Sequence, residues 1–231
     1  MIFAAIVVAA GSGVRFGRQK QLVEVAGRPL VAWCLETFGA MAELGELIIA
    51  TEEEHLATMA DLARTYAPTL RTTVVRGGAT RQGSVRNALA AVSPTCDAVF
   101  VHDGARPLVR VADIRAAMAL VAPGTGALLA APVVDTIKVV AADHATVMRT
   151  LDRSELWAAQ TPQFGTLVDL RAAHAVAERA GDEATDDAML LERAGHRVVV
   201  VRSSGENFKV TMSADRDLAE AILRERAMVA P

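Results

Sequence analysis

The chain has 231 residues, 24 Lys and Arg against 27 Asp and Glu, a formal net charge of −3, and 52% hydrophobic residues. That length can bury a full core as one domain, and the slightly acidic balance argues against broad nucleic-acid binding. The longest apolar runs, 2–10 and 127–134, are too short to span a bilayer. The apolar N-terminus also lacks the basic flank of a signal peptide. Cys34 and Cys96 have no metal-ligand spacing and read as small buried hydrophobes, so a cytoplasmic protein without a membrane partner is expected.

The first apolar run, 2–8, reads as a buried strand. It leads into Ala9-Ala10-Gly11-Ser12-Gly13-Val14-Arg15-Phe16-Gly17-Arg18-Gln19-Lys20-Gln21. Glycines let a backbone approach a ligand closely and turn its N–H groups inward as an anion nest. Arg15, Arg18 and Lys20 add charge that a bare turn does not need. A strand entering a glycine-rich basic loop is how an α/β sheet presents a phosphate site at its carboxyl edge. The loop is not a Walker A motif, because no glycine precedes a lysine, and Phe16 stands where the dinucleotide fingerprint requires its third glycine. A plain turn with surface cations is the alternative reading.

Pro29 then opens a helix whose apolar stripe runs to Gly39. A strand at 47–50, a helix at 53–66 and a strand at 72–75 follow, and the βαβαβ alternation predicts a mostly parallel sheet flanked by helices. Gly77 and Gly78 lead into a second helix carrying Arg81 and Ser84 in its first turns, where an electron-rich group is favoured. The apolar strand 98–102 ends in His102-Asp103-Gly104-Ala105-Arg106-Pro107. A carboxylate at the end of a central strand, close to phosphates, suggests bound Mg²⁺ at Asp103; a loop-capping Asp is the alternative. His102 reads as a loop residue.

After a helix at 112–120 and a strand at 126–131 the pattern changes. Segments 136–140 and 146–150 read as a β-hairpin inserted into the α/β unit, a dimerisation arm at about 135–155 within a single domain. Two strands alone are marginal in water, so the arm is expected to pack on a second subunit. Segment 156–163 re-enters the core. The helix at 167–178 has Leu170, Ala173, His174 and Val176 as inward candidates. Thr185-Asp186-Asp187 reads as the cap of a helix ending near Gly195, 198–201 as a buried strand, 207–211 as a short strand, and 213–228 as a helix capped by Ser213. Lys209 reads either as edge protection or as a cation aimed at the active edge.

Eight segments in order, 9–21, 77–89, 101–107, 135–138, 152–153, 157–163, 185–188 and 207–211, resemble the 2-C-methyl-D-erythritol 4-phosphate cytidylyltransferases, the IspD-type enzymes of the non-mevalonate isoprenoid pathway. The resemblance implies a Rossmann-like nucleotidyltransferase fold, a dimerising arm, and Mg²⁺-dependent transfer of CMP from CTP to a small phosphorylated polyol. By the same resemblance Ala9, Ala10, Gly11, Ser12 and Gly13 wrap the triphosphate, with Arg15 and Lys20 as phosphate-binding and catalytic cations. Gly78 and Ser84 match positions at the cytosine end, and Asp103 the residue near nucleotide and metal. Arg106, Thr136, Arg153, Thr161, Thr185 and Lys209 match positions around the acceptor, Thr136 and Arg153 coming from the partner's arm. Lys209 is also matched to a catalytic cation. Gln19 stands where many members have proline, and the loop is somewhat shorter. No fused cyclodiphosphate-synthase activity is expected. A ribitol 5-phosphate cytidylyltransferase, a sugar-nucleotide pyrophosphorylase and a non-catalytic nucleotide-binding regulator are the competing readings.

Overall fold

A computed structural model describes residues 1–11 and 20–229. The chain begins with β1 (Phe3–Val8), continues after the glycine loop through a 3₁₀ turn at Lys20–Leu22, and makes a small hairpin, β2 (Glu24–Val25) and β3 (Arg28–Pro29). Next come α1 (Leu30–Gly39), β4 (Leu44–Thr51), α2 (Leu56–Tyr66), β5 (Arg71–Arg76), α3 (Arg81–Ala91) and β6 (Ala98–Asp103). The second half contains α4 (Val111–Met118), β7 (Thr125–Pro132), the arm strands β8 (Lys138–Val140) and β9 (Val147–Thr150), and β10 (Trp157–Thr166). It closes with α5 (Leu167–Ala180), α6 (Asp187–Arg193), β11 (Arg197–Arg202) and α7 (Ser213–Val229).

Seven strands form one sheet in the order β11-β7-β10-β6-β1-β4-β5. The β1–β4, β1–β6, β4–β5 and β7–β11 pairs are parallel, while β10 runs antiparallel to both β6 and β7. The topology makes this reversal necessary. The chain leaves β7 at its carboxyl end, builds the arm, and returns directly beside β7, which only an antiparallel strand allows. Thus the mostly parallel Rossmann-like sheet read from the sequence is present.

Strand alternation divides the core between the two faces. Phe3, Ala5 and Val7 of β1 pack with Phe38, Met59 and Ile114 from α1, α2 and α4. Ala4, Ile6 and Val8 pack with Val85, Leu170 and Leu190 from α3, α5 and α6. Phe38 meets Phe100 edge-on at 5.1 Å between ring centroids, and Phe100 leans on Phe164 at 5.4 Å. A separate cluster lays Ala219 and Leu223 of α7 over Val25, Leu30 and Val210. The last helix therefore clamps the β2–β3 hairpin to the segment carrying Lys209. Both edge strands, RTTVVR in β5 and RVVVVR in β11, are bracketed by arginines that discourage pairing with another chain.

Five expectations need correction. The strand at 198–201 is not buried: β11 lies at the sheet edge with no fully buried residue, and Val200 is 44% exposed. Residues 207–211 form no strand: Val210 donates its N–H to Ala105 O at 2.9 Å outside any ladder. Val176 points outward, because the buried face of α5 is Leu170, Ala173, His174 and Ala177, and 176 falls off that spacing. Ser213 lies inside α7, and Asp215 reaches back to the N–H groups of Thr211 and Met212 instead. His102 is a fully buried strand residue of β6. Both cysteines are buried and unpaired. Among the described residues no helix is long and apolar enough to cross a membrane.

Candidate active site

The carboxyl edge of the sheet gathers the predicted nucleotide residues. Val8 stands opposite Ala50 on one side and Asp103 on the other, and Ala50 opposite Val75, so the turns after β1, β4, β5 and β6 leave along one line. Ala9 donates to Ala50 O at 2.8 Å, Gly77 to Thr51 O at 2.7 Å, and Gly104 to Val8 O at 3.0 Å. At Gly77 a Cβ would lie 2.4 Å from the Cβ of Ala10, so only glycine lets the two turns meet. Gly78 donates its N–H to Ser84 Oγ at 3.0 Å, and Thr80 caps α3 by accepting from Gly83 N–H. The structure thus joins Ala9 and Ala10 to Gly78 and Ser84. Lys20 begins the 3₁₀ turn and is half-buried, with its charge acting on Asp215 at the start of α7. Ser12, Gly13 and Arg15 lie outside the described residues.

A chamber of about 290 Å³ opens beside this edge, and Asp103, Arg106, Thr161, Thr185 and Lys209 are all in its wall. The register of β10 against β7 breaks between Ala159 and Gln163, and this bulge turns Thr161 toward β6. Its hydroxyl accepts the N–H of Asp103 at 3.0 Å and lies 3.2 Å from His102 Nδ1. His102 Nε2 faces Arg106 O, which can only accept, so Nε2 carries the ring proton and the Thr161 hydroxyl donates its hydrogen bond to Nδ1. The ring is thus the Nε2–H tautomer, donating to Arg106 O at 3.0 Å. Burial pushes the His102 pKa down to about 4, so the ring is a neutral brace. Behind the wall, buried Asn207 donates to Gln160 Oε1 and Thr161 O, while Arg106 donates to Asn207 O at 2.7 Å. These bonds tie the Lys209 segment to the bulge.

Asp103 is the electrostatic centre of the chamber. Its Oδ1 accepts from Arg81 Nε at 3.1 Å and its Oδ2 from Lys209 Nζ at 2.8 Å. Burial opposes ionisation, but Arg81, Lys209 and Arg106 outweigh it and hold the carboxyl well below the usual carboxylate range. As it stands this donor set does not fit a divalent metal: each carboxylate oxygen already has a cationic partner, and Arg106 adds a third positive charge. Among the described residues, the one trio of suitable donors in mutual reach is Glu52, Glu54 and His55, which is not in the chamber wall.

Thr136 and Arg153 are exposed on the arm and line no part of this chamber within one protomer. Arg153 donates to Val134 O at the arm's base. Two wall residues were missed as site residues. Arg81 reads in sequence as a first-turn cation, yet it bridges Asp103 and Asp187. Gln163 accepts the N–H groups of Asp187 and Ala188 at 2.8 Å and donates to Asp186, the true cap of α6, so it holds the turn that carries Thr185. The doubled acid after Thr185 was the available signal for Arg81, since a buried aspartate demands a cation.

A mostly parallel sheet with small-residue turns at its carboxyl edge, beside a cation-rich chamber, defines a Rossmann-like nucleotidyltransferase. Residues 3–225 match the family described as 2-C-methyl-D-erythritol 4-phosphate cytidylyltransferase, IspD, and the chain belongs to it. A relative of that name from Parasynechococcus marenigrum is 43% identical over 224 residues, covering 96% of this chain and 97% of its own. Another from Halalkalibacterium halodurans is 39% identical over 228 residues, covering 98% and 99%. The crystal structure of 2-C-methyl-D-erythritol 4-phosphate cytidylyltransferase from Thermus thermophilus superposes with a TM-score of 0.76 at 33% identity, over 95% of this chain and 98% of that one. The 4-diphosphocytidyl-2C-methyl-D-erythritol synthase from Anaerococcus prevotii gives 0.83 at 28% identity, over 96% and 98%.

Proposed function

We propose that the chain transfers CMP from CTP to 2-C-methyl-D-erythritol 4-phosphate, releasing pyrophosphate, and that the chamber around Asp103 receives the acceptor. The observation carrying this reading is the convergence of Arg106, Lys209, Thr161 and Thr185 on one small cavity beside the turns after β1, β5 and β6. The acceptor's phosphate oxygen attacks the α-phosphorus of CTP in line. It is already an anion at neutral pH, so no general base is needed. Catalysis then consists of bringing two polyanions together and stabilising charge on the transferring phosphoryl group. Lys20 and Lys209 neutralise the α-phosphoryl oxygens, and Arg15 holds the departing pyrophosphate. Ala9 to Gly13 surround the triphosphate, while Gly78 and Ser84 stand at the base.

Thr136 and Arg153 are assigned to the acceptor phosphate of the partner protomer, Arg because its planar fork suits a phosphate. The arm supports a homodimer: Val134, Val147 and Met148 are exposed on it, more apolar surface than a lone hairpin leaves in water. Mg²⁺ is proposed as the metal that accompanies the triphosphate and lowers its charge. Asp103 offers it no ligand in this arrangement, so no step is assigned to it. A cytoplasmic location suits two free buried thiols and small charged substrates.

Pyrophosphate release with CTP and Mg²⁺ tests the reading, comparing methylerythritol 4-phosphate with ribitol 5-phosphate. Selective turnover of the first is expected. Turnover of ribitol 5-phosphate alone would overturn the acceptor, and CTP binding without turnover of either would leave a nucleotide-binding regulator.

A further inference from the structure

His174 and Asp187 have no part in the chemistry above, yet they are only 2% and 1% exposed. His174 on α5 brings Nε2 to 3.0 Å from Asp187 Oδ1, and its Nδ1 has no partner among the described residues. All of the ring's hydrogen bonding therefore goes to one carboxylate. Asp187 Oδ2 accepts from Arg81 Nη1 at 2.9 Å, and Arg81 Nε reaches Asp103 Oδ1 at 3.1 Å. One guanidinium thus links a carboxylate in the chamber wall to another wholly inside the protein. A packing role alone does not call for this arrangement, because apolar side chains of similar volume are usually as stabilising as a buried ion pair.

Beside Asp103 alone, the flexible Arg81 side chain could turn its fork to a substrate phosphate. Held at Nε and Nη1 by two carboxylates, its plane is fixed, and the Asp103 carboxylate is fixed with it. The charge balance points the same way. Arg81, Arg106 and Lys209 face Asp103 and Asp187, so removing Asp187 would leave Arg81 in competition for phosphate.

We infer that Asp187, backed by His174, is a positioning residue for cytidylyl transfer: through Arg81 it aims Asp103 across the acceptor chamber and reserves phosphate binding for Arg106 and Lys209. This rests on the chamber being the acceptor site. Gln163 completes the support by fixing the Asp187 backbone N–H.

Steady-state kinetics of Asp187→Asn, Arg81→Lys, His174→Gln and His174→Leu test it, with both substrates varied. Turnover of methylerythritol 4-phosphate by the wild-type protein is the control; its absence would refute the proposed function, not the positioning role. Asp187→Asn and Arg81→Lys are expected to lower kcat/KM for the acceptor about 10- to 100-fold while the KM for CTP stays within about twofold. His174→Gln, whose amide can replace the Nε2–H donor, should keep near-wild-type acceptor kinetics, and His174→Leu should follow Asp187→Asn. Equal losses for CTP and acceptor, or wild-type acceptor kinetics in folded Arg81→Lys, would overturn the inference. If Asp187→Asn does not fold, Arg81→Lys decides alone, because that side chain is only partly buried.

Discussion

Thr161→Val removes one hydroxyl and almost nothing else. The side chain is buried, and valine keeps its shape. Two partners lose their bonds: the N–H of Asp103 at 3.0 Å and Nδ1 of His102 at 3.2 Å. Each is a buried polar group left without a partner, a loss of about 1–3 kcal/mol apiece. Because the ring can turn slightly, we expect the lower part of that sum, about 2–4 kcal/mol. For a chain of this length that corresponds to a fall in Tm of about 4–16 °C. Urea titration and thermal unfolding followed by circular dichroism measure it, with Thr161→Ser as the control that retains the hydroxyl. The serine variant should lose only the transfer energy of a methyl group, about 1 kcal/mol. A valine variant within about 0.5 kcal/mol of wild type would refute the role assigned to this hydroxyl, since that is the range of a surface substitution.

Further outcomes follow from the same geometry. His102 has a folded pKa of about 4 against an ordinary 6.5, so the unfolded chain binds its proton more tightly across that window; stability should fall by about 3 kcal/mol as pH drops from 6.5 to 4 and be unaffected by this group above 6.5. Unfolding midpoints between pH 4 and 8 should show the slope in wild type and lose it in His102→Gln. The Asp103 carboxyl, held low by Arg81 and Lys209 against its burial, contributes stability that is lost only below its ordinary 3.8, which separates the two effects. Lys20→Ala should reduce kcat by about 10²–10³, as for a lost transition-state charge partner, and turnover near wild type in pyrophosphate release would remove it from the mechanism. Met148→Asp, on the exposed face of the arm, should shift sedimentation toward monomer while changing the unfolding energy of the monomer by less than about 0.5 kcal/mol; an unchanged dimer would show that the arm is not its seam.

What the sequence disclosed and what it concealed divide by range of interaction. The buried strands were legible because each carries its own signal: Ala-Val-Phe-Val in β6 is apolar at every position, as a strand covered on both faces must be. The glycine pair was legible because adjacent glycines announce a turn by themselves, although the need Gly77 meets, the close approach of Ala10, comes from a distant turn. Segment 207–211 misled because Phe208 and Val210 alternate with polar neighbours, yet their backbone is fixed by Ala105 and by the Asn207 side chain rather than by a ladder. The bulge at Thr161 was invisible for a related reason: the partners of its hydroxyl, His102 and Asp103, are 59 and 58 residues away. Arg81 and Asp187 are 106 residues apart, and no periodicity reports such a pair. The residues matched by resemblance, Arg106, Thr161, Thr185 and Lys209, did arrive in one cavity, because the family pattern encodes tertiary neighbours that a local reading does not.

If the chamber receives phosphates as proposed, the presence of Asp103 in it has a physical rationale. Arg81, Arg106 and Lys209 crowd a partly dry space, and without an anion they would repel one another and each would carry a desolvation penalty. Lys209 lies on a segment with no ladder bonds of its own, so its position depends on the 2.8 Å contact to Asp103 together with the Asn207 and Val210 anchors. The carboxylate thus holds the cation in place, and in the proposed reaction a phosphate would compete for a charge that is already positioned. In the proposed reaction the protein would supply neither nucleophile nor base, and catalysis would lie in having charge fixed in advance where charge develops. The neutral, buried His102 accordingly serves as a brace, accepting from Thr161, whose hydroxyl holds the backbone N–H of Asp103 at the chamber wall.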